Sequence, residues 1–175
     1  MMGWRARGGM WLAASVIFCV TCGAQEKIAE LQRRFDHETN AVHRAKLLER
    51  LGDAQFEETR RAFKANDLVT VGIVLEKYRD DAREALEGLK KKHPDAEKQP
   101  GGYRQLEIHV RRGIREVDEI LLRIPEQYQP PLQIVRGDLD RMDREMIGML
   151  FRHPGDQALP VGPGPNPAPG AEEKP

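Results

Sequence analysis

The chain has 175 residues, with 28 basic and 28 acidic side chains and no net charge at neutral pH. Balanced charge excludes a global field that would gather nucleic acid or an acidic membrane. A charged fraction of 32% beside 39% hydrophobic suits amphipathic helices with one dry stripe each, and no sustained period-two run points to a sheet.

Residues 1–24 have the three parts of a secretory signal. Arg5 and Arg7 form a basic start, Met10–Val20 an apolar stretch, and Cys22-Gly23-Ala24 a small-residue cleavage site before Gln25. Two other readings compete. The uncharged run 8–25 is just long enough to stay as a membrane anchor, and Cys22 could carry a lipid, although Cys19-Val20-Thr21 fits a lipobox poorly. Export makes the protein extracytoplasmic, periplasmic or secreted. Contact with a membrane is expected only if the segment is retained or Cys22 is lipidated. Both cysteines and both tryptophans fall here, as does the chain's one serine, Ser15. The domain beyond therefore has no disulfide, no thiol or serine nucleophile and no Cys-based metal site. Without residues 1–24, which hold two bases and no acids, the net charge becomes about −2.

A helical domain is expected over residues 25–153. Its first helix runs from Glu26 to Lys64, with apolar positions at Ile28, Leu31, Phe35, Val42, Ala45, Leu48, Leu51, Phe56, Ala62 and Phe63, and a polar break at Gln55. At 1.5 Å per residue it would be about 58 Å long and would overhang its partners. The patch 36–40, DHETN, is its weak point. Asn66 is suited to a left-handed helix end and Asp67 to capping the next helix.

The second helix has a strict three-four stripe at Leu68, Val71, Leu75, Tyr78, Ala82, Ala85 and Leu89. Lys90–Lys92 suit the negative end of its dipole, and His93-Pro94 stops it. After the polar loop 93–102, the third helix, 103–124, buries Tyr103, Leu106, Val110, Ile114, Val117, Leu121 and Ile124. Its other face is charged. Glu107 stands four before Arg111 and Glu119 four before Arg123, the favourable order for exposed pairs. A fourth helix starts at Pro131, carries Leu132, Val135, Leu139, Met142, Met146 and Met149, and stops at His153-Pro154. Residues 154–175 are a Pro/Gly-rich tail that cannot pack a core and is expected to be disordered.

The fold class is thus all-α: a small antiparallel bundle of about four helices, the first of them long, packed near-aligned in coiled-coil fashion between disordered termini. Glycines recur within the helices, at Gly52, Gly72, Gly88, Gly113, Gly137 and Gly148. Each costs about 1 kcal/mol against alanine, and most are read as tolerated.

Chemistry is mostly excluded. No Glu-x-x-His pair exists for a bundle-core metal centre, and His37-Glu38 lacks the second histidine of a zinc protease, because Ala41 stands there. No catalytic residue, cofactor or metal is expected. The candidate partner contacts are His109 and Arg112, at the stripe edge, and Met146 and Met149, at the soft end of the last helix. The expected function is therefore non-enzymatic: an exported helical protein that binds another protein or itself, or organises an envelope complex. The architecture is similar to that of small periplasmic stress proteins of the Spy and CpxP kind, which implies a chaperone or sensor as the alternative. Their Leu-Thr-x-x-Gln motif is absent here. Leu48, Leu51, Gly52 and the turn near Asn66-Asp67 look slightly like one tetratricopeptide unit, without its later signature positions.

Overall fold

The computed structural model describes residues 18–151, with side chains from residue 25 onward. Most of the expected signal segment, the Pro/Gly-rich tail and the stop at His153-Pro154 lie outside the described residues. Within them the protein is all-α. The helices are α1 (Phe18–His37), α2 (Ala41–Lys64), α3 (Leu68–Lys92), α4 (Pro100–Leu121) and α5 (Gln129–Leu150), with a 3-10 turn at Glu126–Tyr128 before the last.

The stretch expected as one long helix is two. The break falls in the weak patch, and local bonds fix it there. Asn40 is an N-cap, its Oδ1 accepting from Val42 N at 3.0 Å and His43 N at 3.1 Å. Asparagine bonds more readily to nearby backbone N–H groups than it continues a helix, so it favours this role. Arg44 then holds the freed Glu38 carbonyl through Nε (3.0 Å) and Nη2 (2.6 Å). As a result α1 does not overhang. It folds back along α2, so that the Arg44 guanidinium lies 5.6 Å from the centre of the Phe35 ring. Phe35 is fully buried, with Ile28 and Leu31 packed beside it.

The other joints follow the expected turn chemistry. Asn66 has φ 59°, and Asp67 caps α3 by accepting from Thr70 N at 3.1 Å. Between α3 and α4 the Tyr103 hydroxyl donates to the His93 carbonyl at 2.8 Å and ties the loop down. α5 starts slightly earlier than expected, with its prolines in the first turn, where a missing N–H costs nothing.

The helices alternate in direction along the chain, but spatial neighbours are not simply chain neighbours. α2/α3 and α4/α5 are antiparallel hairpins. Across them, Gln105 bonds Glu49 and Arg60 bonds Glu116 at one constant offset of 56 residues, so α2 and α4 run side by side in the same direction. Arg83–Asp138 and Lys90–Glu145 place α3 and α5 in the same parallel relation. α3 also reaches across a diagonal to α4. Each helix therefore meets two to four others, and its buried face is wider than a single stripe. On α4, His109, Gly113 and Ile120 are buried beside the expected Leu106, Val110 and Val117, while Ile114 and Leu121 are only partly covered. Among the described residues no helix is long and apolar enough to cross a membrane.

Candidate functional site

Two polar clusters interrupt the apolar core. The first is built on α3 by Tyr78, which the stripe turns fully inward. Its ring lies between two glycines, Gly52 on α2 and Gly113 on α4. A Cβ at Gly52 would come within 2.9 Å of Tyr78 Cε2, and one at Gly113 within 2.8 Å of the hydroxyl oxygen. The close approach makes both glycines structural, whereas nothing lies within 4 Å of a Cβ built at Gly72, Gly137 or Gly148. Phe56 meets the ring edge-on at 4.6 Å.

Tyr78 leads to His109. Its hydroxyl donates to the His109 carbonyl at 3.0 Å and lies 3.0 Å from Nδ1 of the same residue. The imidazole is 5% exposed and stacks on Phe56 at 5.6 Å. Its Nε2 faces Asp53 Oδ1 at 3.5 Å, at the outer limit of a hydrogen bond, and has no other partner. The carboxylate favours the tautomer with the proton on Nε2, so the single Tyr78 hydroxyl proton is shared between the His109 carbonyl oxygen and Nδ1. Burial pushes the His109 pKa below its usual value, with Asp53 opposing that shift in part. Burial likewise drives the Tyr78 phenol far up, so it is a neutral donor. Asp53 is also bound by Arg112 Nη1 at 2.6 Å, and that guanidinium sits 5.9 Å from the Phe56 ring centre. The chain from Tyr78 through His109 and Asp53 to Arg112 thus runs from the core to the surface. It holds α2, α3 and α4 together.

The second cluster centres on Asp81, 1% exposed. It accepts from Gln55 Nε2 at 2.9 Å, Gln32 Nε2 at 3.0 Å and Lys77 Nζ at 2.5 Å. It therefore joins α1, α2 and α3. Gln55, the polar break of the α2 stripe, finds its reason here. Asp81 itself was missed, because an Asp-Asp pair beside a stripe reads as surface. Gln55 could have signalled it, since a buried amide needs a buried polar partner.

The candidate partner contacts separate. Met146 is fully buried and His109 nearly so, so neither presents a surface to a partner in this fold. Met149 is partly buried against the core. Arg112 remains 42% exposed while holding Asp53. Of the expected surface pairs on α4, Glu107–Arg111 forms, with Arg111 also reaching Asp143 at 3.1 Å. Glu119–Arg123 is not among the ion pairs of the described residues, because α4 ends at Leu121 and the helical spacing stops with it.

Open grooves mark the surface of the described residues. One of about 340 Å³ is lined by charged groups including Glu38, Lys46 and Arg50. A second of about 250 Å³ has Phe63 and Ile120 at its base among Arg60, Lys64 and Arg123. A third, of about 360 Å³, is mostly apolar and lies where α1 rests on α2 and α3. Among the described residues no group of three or more His, Cys, Asp or Glu is placed to hold a metal ion. No family model, curated protein or solved structure matches the chain.

Proposed function

We propose that the chain is a non-enzymatic, exported helical protein that acts at the cell envelope by binding another protein or a second copy of itself. The observation that carries this reading is the placement of large aliphatic side chains on the outer faces. Val69, Ile73, Ile108 and Ile134 are 60–65% exposed, on α3, α4 and α5. Exposed side chains of this size cost nothing singly; repeated on α3, α4 and α5 they support contact with a partner. Buried polar side chains such as Asp81 with Gln55, and Tyr78 with His109, by contrast, bond one another across helices and hold the bundle together.

A photo-crosslinking residue at Ile73, Ile108 or Ile134, in the full chain expressed in its own cells, gives one discrete adduct. The same residue at Arg141, 75% exposed on α5, gives none. No adduct from any aliphatic position, or turnover of a metabolite panel by the purified chain, ends this reading. The aliphatic side chains lie on three helices and not on one, which favours a chaperone of the Spy and CpxP kind as the second reading. Suppression of aggregation of an unfolded client at stoichiometric chain would select it.

A further inference from the structure

The two ends of the bundle differ. The Gln32–Asp81 bond sets α1 beside α3 at an offset of 49 residues, so Phe18 and Leu68 start their helices at nearly one height. α2 and α4 finish at this same end, at Lys64 and Leu121, and the joint before α5 closes it. Large apolar side chains are exposed here: Leu122 at 86%, Val69 at 63% and Tyr128 at 36%. The exposed charges beside them, Lys64 and Arg123 against Asp67 and Glu126, cancel. The opposite end carries Lys91, Lys92 and Lys98, and of the large exposed hydrophobics among the described residues only Phe151 lies there. The apolar end is also the one at which the uncharged run 8–25 meets the bundle. α1 begins inside that run, at Phe18, and Gln25 already lines a groove with Thr70 and Ile73 of α3, so no linker intervenes. The small residues Cys22-Gly23-Ala24 are wound into α1, whereas proteases prefer exposed irregular segments.

We propose that residues 8–25 stay on the chain as a membrane anchor and that the apolar end of the bundle, through Val69, Leu122 and Tyr128, sits in the headgroup layer of the bilayer. This rests on the envelope location in the reading above and not on its protein partner. Ile73, Ile108 and Ile134 lie farther along their helices and remain for that partner. Wound as a helix, the run reaches about 27 Å, slightly short of the roughly 30 Å hydrocarbon core. A short run draws its flanking residues toward the headgroups, and with no linker the flank here is the bundle end itself. Arg5 and Arg7 keep the start of the run in the cytoplasm and so place the bundle outside, in keeping with export. Tyrosine suits this depth, and the long stems of Lys64 and Arg123 can lie along apolar surface with their charges in water. Because the charges at this end cancel, seating comes from apolar burial and not from attraction to anionic lipid.

The test places a photo-crosslinking residue at Leu122, Val69 or Phe151 of the full chain, in its own cells, and weighs the intact products. All three side chains are mostly exposed, so the substitutions spare the core. Leu122 and Val69 give adducts heavier by one phospholipid, on a chain that still holds residues 8–25. Phe151, 60% exposed at the other end, gives none. The chain reconstituted in phosphatidylcholine vesicles gives the same lipid adducts in low salt and at about 1 M salt, where charge attraction is screened. A product beginning at Cys22 or Gln25 overturns the proposal. So does a protein adduct at Leu122 in place of lipid, a lipid adduct as strong from Phe151, or loss of the lipid adducts in salt. Protein adducts at Ile108 or Ile134 decide the partner reading separately, so either can fail while the other stands.

Discussion

Replacing Gly113 by alanine is the sharpest test of the core. In an exposed helix the change would stabilise by about 1 kcal/mol, because alanine loses less backbone entropy. Here the added methyl stands 2.8 Å from the Tyr78 hydroxyl oxygen, 2.9 Å from Cζ and nearer still to Cε1. These are atoms of a rigid ring. The ring cannot retreat, because Gly52 closes on its far side and Phe56 meets its edge. Overpacking of a closed core costs about 1–3 kcal/mol, and displacing the hydroxyl from the His109 carbonyl adds about 1 kcal/mol. The steric cost outweighs the propensity gain, for a net loss centred on about 2 kcal/mol. For a domain of this size that lowers Tm by about 8 °C. Gly137→Ala, with nothing within 4 Å of its Cβ, is the matched control and gains up to about 1 kcal/mol. Urea and thermal denaturation, followed by far-UV circular dichroism on the full chain, measure both. If Gly113→Ala raises Tm as Gly137→Ala does, the ring is not confined as described.

Three further outcomes are expected. Burial holds the His109 pKa below its usual 6.5, so below about pH 6.5 the unfolded chain takes up a proton that the fold refuses. The stability present above that pH is then lost as pH falls toward the folded pKa, at no more than about 1.4 kcal/mol per pH unit, and a His109→Gln chain shows a flatter profile in paired urea titrations from about pH 7 to 5. Asp81→Ala strands the Gln55 amide, cuts the tie from Gln32 on α1 to α3 and costs about 1–3 kcal/mol, with hydrogen exchange rising first around Leu31 to Phe35 as α1 loosens; uniform exchange across all helices would count against that order. Asn66→Ala costs about 1 kcal/mol at its φ of 59°, whereas Asn66→Gly is close to neutral, and equal Tm values for the two would contradict the left-handed turn.

Much of the fold was legible because it rests on local rules. The stripes of α3 and α5 became their buried faces nearly residue for residue, and Asn66, Asp67 and Pro94 punctuate the chain where their backbone chemistry requires. The break before α2 was visible only as a weak patch. Deciding between a bend and a stop needed the Asn40 cap and the Arg44 bonds to Glu38, and the latter exist only once the chain has turned back. The candidate site was less legible. His109 sits beside the α4 stripe, and a boundary position becomes core when a helix has neighbours on both sides. Asp81 was hidden for the same reason, since α1 covers a flank of α3 that the stripe alone assigns to water.

Stripes alone cannot choose which helices stand side by side. A bundle of four amphipathic helices with α2 and α4 adjacent buries its apolar faces as well as one with them opposed. The choice between these arrangements has to come from residues that fit in one and clash or go unpaired in the other. Tyr78 between Gly52 and Gly113 is such a residue. The ring on α3 needs a bare backbone on each side, and the packing of α2 beside α4 brings Gly52 and Gly113 to it. The His109–Asp53–Arg112 contacts fix the same register from the α4 side, because they join the same two helices one turn apart. Weighed one at a time, each glycine looks like tolerated drift and the histidine like a boundary residue. Their meaning lies in the pairing, and a pairing across helices is a property of the fold that no single stretch of the chain contains.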